Sequence, residues 1–260
     1  MFNEIIILKK HFFQQKNEEP PNIEKDEPKN SSGKGNTAQI FIEETQQHKS
    51  ITLTPEMTAL DVMTIFRSDN TISDAGAWTI FEVIYEYDLE RPLRDWESVA
   101  WVIGTWELGR RNSLVLRKYA HRNALTLAGF NERAPVIYGW LSLEVKKNKW
   151  QKRFVHIKDG SLYHSKDHKG TNETFLCSMV SFDVYICTGN LNAFPTKFVF
   201  AIKSQDKITM FENPEKDYMH FLCTDHLEKM NEWIIAIRMA KVGLLKFVLI
   251  KFIRLFLVLT

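Results

Sequence analysis

Between Tyr138 and Cys223 the sequence breaks into short β-prone runs separated by turn signals, and then gives way to one amphipathic helical stretch. The runs are Gly139 to Val145, Trp150 to Ile157, Ser161 to Ser165, Phe175 to Leu176, Val184 to Cys187, Phe198 to Ile202, Lys207 to Phe211 and Tyr218 to Cys223. Asp159-Gly160 marks a tight hairpin between two of them. From Asp225 to Lys241, Leu227, Met230, Trp233, Ile234 and Ile237 form an apolar stripe, with Asp225-x-x-Glu228 as its cap and Gly243 as its stop. Many short strands followed by a single helix predict an all-β barrel or sandwich closed at one end.

The residues before this region have another character. Ala38, Ile40 and Ile42 alternate with Gln39, Phe41 and Glu43, Glu44 to Ser50 is polar, and Ile51 and Leu53 alternate again, which predicts a two-stranded hairpin. Thr58-Ala-Leu-Asp61 opens a helix whose apolar face is Ala59, Val62, Met63 and Phe66. Strand candidates follow at Trp78 to Tyr85, Ala100 to Ile103 and Ser113 to Arg117, with Arg91-Pro92-Leu93 as a turn or short strand. Strand, strand, helix and further strands within about 80 residues predict a ubiquitin-like roll. Dividing the chain's 260 residues by about 150 per domain gives roughly two domains.

Asn17 to Asn36 carries three Pro, two Gly and dense mixed charge, so it cannot repay its ordering entropy and is expected to be disordered. The expected layout is a leader over 1–36, a roll over 37–119, a linker over 120–137, a barrel over 138–242 and an apolar cationic tail over 243–260. In that tail Lys246, Lys251 and Arg254 fall within an arc of roughly 140°, leaving a wide apolar face. An interfacial membrane helix and a gene-model artefact are both open readings of it. The acidic Glu4 ahead of a short apolar run and its basic pair is the reverse of a secretory signal. Cys177, Cys187 and Cys223 are odd in number, widely spaced and without a Cys-x-x-Cys pair, so each reads as a small buried hydrophobe in a reducing compartment.

Charge narrows the function classes. Lys+Arg number 34 against 32 Asp+Glu, so any basic surface is local. One lies between Gly139 and Gly170, where eight Lys/Arg face three acids. Another runs from Arg110 to Arg122, with five Lys/Arg and no acid, and reads mostly as a charged strand edge. Neither is interleaved with aromatic platforms or zinc spacing, so nucleic acid is not an expected partner. Phosphate-binding glycine loops, metalloprotease helices and nucleophile elbows are missing as motifs, and His220 with Cys223 has no orienting third group. The expectation is a non-enzymatic protein with no cofactor and no metal.

These elements resemble a known tandem. Gly139-Trp-Leu, Trp150-Gln-Lys-Arg153-Phe, Gly160-Ser-Leu-Tyr163 and the late helix with Trp233 look like a pleckstrin homology (PH) domain. With the roll before it, the chain resembles the Ras-association (RA) and PH tandems of the lamellipodin and Rap-interacting adaptor group, and more distantly the growth-factor-receptor-bound adaptors. Trp78-Thr-Ile-Phe-Glu-Val-Ile-Tyr, Leu89-Glu-Arg-Pro-Leu-Arg-Asp-Trp-Glu, Phe182-Asp-Val-Tyr, Tyr218-Met-His-Phe-Leu-Cys-Thr-Asp and Asn231-Glu-Trp-Ile-Ile-Ala-Ile-Arg carry the likeness. It implies an α+β architecture: a β-grasp roll, then a seven-stranded bent barrel capped by a C-terminal helix.

The resemblance also implies partners. In RA domains the second strand of the roll meets the edge strand of a GTP-loaded Ras-like GTPase. His48 and Lys49 hold the matching place here, and Arg67 ends the helix that flanks the contact. In lipid-binding PH domains, cations of the first two strands face an inositol phosphate. Here Leu143 or Glu144 and Gln151 stand at two of those places while Arg153 keeps the third, so Lys146, Lys147, Lys149 and Arg153 are expected to bind anionic lipid diffusely. A solvated basic hairpin and a purely structural roll are the alternatives. The implied location is cytoplasmic, with peripheral recruitment to the plasma membrane.

Overall fold

The computed structural model describes residues 36–43, 45, 47–107, 109–126 and 136–242. The expected leader and tail, with Gly243 and the three tail cations, lie outside them.

The first half is the roll. β1 (Asn36–Ile42) and β2 (Gln47–Leu53) form an antiparallel hairpin with Ala38 opposite Ile51 and Ile40 opposite Lys49. The second strand begins four residues earlier than its apolar alternation, because His48 and Ser50 extend it on its exposed face. α1 (Ala59–Ser68) starts in a capping box: Asp61 N–H donates to Thr58 Oγ1 at 3.2 Å, and Thr58 N–H donates to Asp61 Oδ2 at 2.9 Å. Its Ala59, Val62, Met63 and Phe66 are all buried. β3 (Trp78–Ile84), β4 (Leu89–Pro92), α2 (Val99–Gly104) and β5 (Asn112–Lys118) follow, and β5 lies parallel to β1.

Residues 100–103 were expected as a strand and are helical. Ser98 Oγ accepts from Trp101 N–H at 3.1 Å, and Val99 and Val102, three residues apart, turn to the core. A short apolar run carries no period of its own, so its caps decided between helix and strand. Packing of the roll continues through a 3₁₀ turn at Arg122–Leu125, where Leu125 is buried and Arg122 Nε donates to Trp78 O at 2.8 Å.

The second half is a seven-stranded antiparallel barrel: β6 (Tyr138–Lys146), β7 (Lys149–Lys158), β8 (Ser161–Ser165), β9 (Thr174–Ser178), β10 (Phe182–Cys187), β11 (Phe198–Ser204) and β12 (Met219–Thr224). β12 returns to β6, with Leu222 opposite Leu143. Asp159 and Gly160 take φ of 50° and 68°, the left-handed pair that a two-residue hairpin needs. Lys207 to Phe211, expected as a strand, is a 3₁₀ turn at Ile208–Met210, with Met210 63% exposed and Ile208 N–H tied to Glu107 Oε1 of the roll at 2.8 Å. A four-residue helix, α3 (Pro214–Asp217), precedes β12. α4 spans 227–242, two residues later than expected, since the chain leaving β12 at Thr224 must first turn. Met230, Trp233, Ile234 and Ile237 plug the barrel, whereas Leu227 is 47% exposed.

The two halves share one sheet. Strand order runs β2-β1-β5-β3-β4-β10-β11-β12-β6-β7-β8-β9, because β4 pairs antiparallel with β10 through Ile186 opposite Glu90 and Cys187 opposite Leu89. Ile84, Leu89, Tyr185 and Ala201 form an apolar cluster across this seam. Gly189 sits so close to the roll that a Cβ there would lie 2.6 Å from that of Asp88. Beside the cluster is a buried ionic network. Arg91 Nε donates to Glu82 Oε2 at 2.7 Å and to Tyr185 Oη at 3.1 Å, while its Nη1 reaches Glu97 Oε1 at 2.8 Å. Arg94 grips Asp183 of the barrel at 2.7 and 3.1 Å. Burial alone would raise the Asp183 carboxyl's pKa; Arg94, Lys241 and Arg91 outweigh that and hold it well below the usual carboxylate range.

Candidate functional site

Two surfaces follow from this frame. The first is the outer edge of the roll. β2 ends the strand order, so its far backbone edge has no sheet partner among the described residues. By strand alternation Lys49 lies on the side of Ile51 and Leu53, and His48 on the opposite, exposed side, where its ring is 5.6 Å from that of Phe41. The two residues therefore do not form one patch. Lys49 Nζ is ion-paired with Asp69, which caps the C-terminus of α1, and lies 5.6 Å from the Phe66 ring centroid. Arg67 shares a helix face with Leu60 and Thr64, and its charge acts on Asp95. Glu43, an acid near this edge, is paired with Arg117 at 3.2 Å. The edge thus presents one pre-positioned cation and an open strand.

The second surface is the β6–β7 hairpin. Asn148, at φ 59°, makes the turn, and its N–H donates to Glu144 Oε1 at 2.6 Å. Lys146 stands opposite Lys149, and both, with Lys147, are exposed. These three make no ion pair among the described residues. Like charges facing each other across a hairpin cost free energy that a bound anion would return. Of the two residues expected at the first cation position, Leu143 is 2% exposed and belongs to the core, and Glu144 accepts from the turn. Arg153 faces the barrel interior with Val155, while Lys152 lies on the exposed outer side. The Arg153 guanidinium donates to Gln151 Oε1, and its Nε is buried without a partner.

Two residues that the strand pattern did not single out lie, like Arg153, on the core-facing side of their strands. His164 is directly opposite Val155 in the β7–β8 pairing, and its Nδ1 is buried and unpartnered. His220 lies two residues before the core residue Leu222 on β12, its ring stacked 6.0 Å from Phe182, with Nε2 also unpartnered. Burial pushes the His220 pKa down to about 4; Asp217 pulls against this and His164 adds to it. Burial, then Arg153, also lowers His164. Their sequence signal was histidine at positions where alternation calls for an apolar residue. The three cysteines are unpaired, and burial raises each thiol's pKa. Among the described residues no cluster of three His, Cys, Asp or Glu could hold a metal, and no helix is long and apolar enough to cross a membrane.

Fold and surfaces together define an RA-like domain followed by a PH domain. The RA like domain family matches residues 37–122 and the PH domain family residues 135–242. Human growth factor receptor-bound protein 14 is 24% identical over 254 residues, covering 84% of this chain and 45% of that protein. The human amyloid beta A4 precursor protein-binding family B member 1-interacting protein is 23% identical over 207 residues, covering 64% of this chain and 30% of that protein. The chain thus spans less than half the length of these relatives. The crystal structure of the coiled-coil, RA and PH domains of lamellipodin shares the fold, with TM-score 0.64 and 18% identity over 81% of this chain and 88% of that one.

Proposed function

We propose that the protein is a non-enzymatic signalling adaptor that binds a GTP-loaded Ras-like small GTPase through the β2 edge and anionic phosphoinositide membrane through the β6–β7 hairpin. The supporting observation is the pairing of an unpartnered edge strand bearing Lys49 with an unpaired lysine tip on one chain. An edge strand supplies backbone hydrogen bonds to a second sheet, and Lys49 supplies a cation to acidic switch residues. The lysines supply about 1 kcal/mol each near an anionic leaflet. Two weak contacts on one chain raise membrane residence through effective concentration. This reading places the protein in the cytoplasm, recruited peripherally to the plasma membrane.

The Lys49–Asp69 pair and the buried Leu143 favour a second reading, a protein-interaction scaffold that binds neither ligand specifically. One experiment separates the two. The full chain is titrated against a panel of Ras-family GTPases loaded with GTP analogue or GDP, alongside Lys49→Glu. GTP-selective binding lost in the variant supports the adaptor, and equal or absent binding in both nucleotide states overturns it.

A further inference from the structure

The barrel carries a cluster that hairpin lysines do not explain. Arg153 on β7, His164 on β8 and His220 on β12 come from three strands, and each lies on the face that its strand turns to the barrel core: Arg153 with Val155, His164 opposite Val155, His220 with Leu222. Each also holds a buried nitrogen with no hydrogen-bond partner among the described residues: Arg153 Nε, His164 Nδ1 and His220 Nε2. An unmet buried polar atom costs about 1 to 3 kcal/mol, a cost that a ligand meeting these atoms can remove. A guanidinium and two imidazoles are complementary to phosphate.

We propose that His164 and His220 complete the Arg153 site as phosphate-contacting residues that take up protons when an inositol phosphate headgroup binds, so that affinity for the headgroup rises as pH falls. This rests on the anionic-lipid reading given above. Arg153 disfavours His164 protonation, and His164 disfavours His220 protonation. The other groups facing them are few. Val155 and Arg153 face His164 from β7, and Thr174 pairs with it on β9. Phe182 covers His220 from β10, Ile202 is its partner on β11, and Asp217 of α3 is the one acid acting on it. Glu173 is engaged elsewhere, with Lys158 at 3.0 Å and His156 at 3.2 Å. A phosphate carrying nearly two negative charges reverses the balance at both imidazoles, and the protons come from solvent.

The test is calorimetric titration of the full chain with inositol 1,3,4,5-tetrakisphosphate from pH 7.5 to 5.5, in buffers of different ionisation enthalpy. Phosphate loses charge as pH falls through about 6, which by itself weakens binding, so a gain must come from the protein. Expected are about tenfold tighter binding at the lower pH and a net proton uptake on binding, each removed or reduced by His164→Gln. Phosphatidylcholine vesicles with and without phosphatidylinositol trisphosphate form a second arm: a pH effect on lipid only, or on the free headgroup only, identifies the source. Binding that is independent of pH and takes up no proton in the wild-type chain overturns the proposal while leaving the lipid reading standing. No binding at any pH in either arm overturns both.

Discussion

Arg94 of the RA-like domain holds Asp183 of the PH domain through two hydrogen bonds of 2.7 and 3.1 Å, with the two side chains 3% and 2% exposed. A charge pair this deep contributes little compared with an apolar substitute, but breaking it strands a charge.

Arg94→Ala is therefore expected to cost about 3 to 5 kcal/mol of unfolding free energy, measured by chemical denaturation of the full chain. Because the stranded carboxylate belongs to the other domain, the midpoint should fall in a single calorimetric transition. Two transitions, with only one displaced, would show that the domains unfold separately.

Arg238 has the opposite sign. It is 2% exposed on α4, its three guanidinium nitrogens lack partners among the described residues, and the Tyr119 ring is 5.7 Å away. Burial lowers its pKa, with Tyr119 and Asp183 offsetting only part of the effect. Replacing it with an apolar chain of similar length, Arg238→Met, is expected to raise stability by about 1 to 3 kcal/mol, seen as a higher denaturation midpoint. A lower midpoint would mean that the cation is balancing Asp183.

His220 sets an acid limit. Its folded pKa is about 4 against an unfolded value of 6.5, so between these values the unfolded chain binds the extra proton. Stability is full above pH 6.5 and falls as pH drops toward 4, by roughly 3 kcal/mol in all at about 1.4 kcal/mol per pKa unit. His220→Phe should flatten the slope of unfolding free energy over that window. An unchanged slope would place the acid sensitivity elsewhere.

The hairpin lysines predict salt dependence. Charge reversal of Lys146, Lys147 and Lys149 to Glu should abolish cosedimentation with vesicles rich in phosphatidylserine, and raising salt from 50 to 500 mM should weaken the wild-type chain in the same way. Stability should move by less than about 0.5 kcal/mol, since all three residues are exposed. Retained vesicle binding in the triple variant would leave the hairpin as ordinary solvated surface.

Much of this architecture was legible in the residues. Thr58 and Asp61 marked a helix start that the structure builds atom by atom, and Asp159-Gly160 marked its turn. At residues 100–103 a local signal, the Ser98 cap, outweighed the strand-like composition, whereas Ile208 is held by Glu107 from across the seam, a contact no local pattern shows. His48 and Lys49 looked like one patch because adjacency in sequence hides the two faces of a strand. The seam itself was invisible, since Asp183 lies about ninety residues from Arg91 and Arg94 and all three read singly as ordinary surface charges.

The lodging of β4 on β10 has one more consequence. A PH unit without its neighbour would bare the N–H and C=O groups of Ile186 and Cys187 beside the apolar rings and chains of Tyr185 and Ala201, an open template for a second copy. The RA-like domain thus acts as an edge guard for the barrel, a chaperone in cis. Its removal would show first as self-association of the orphaned half, before any partner is lost.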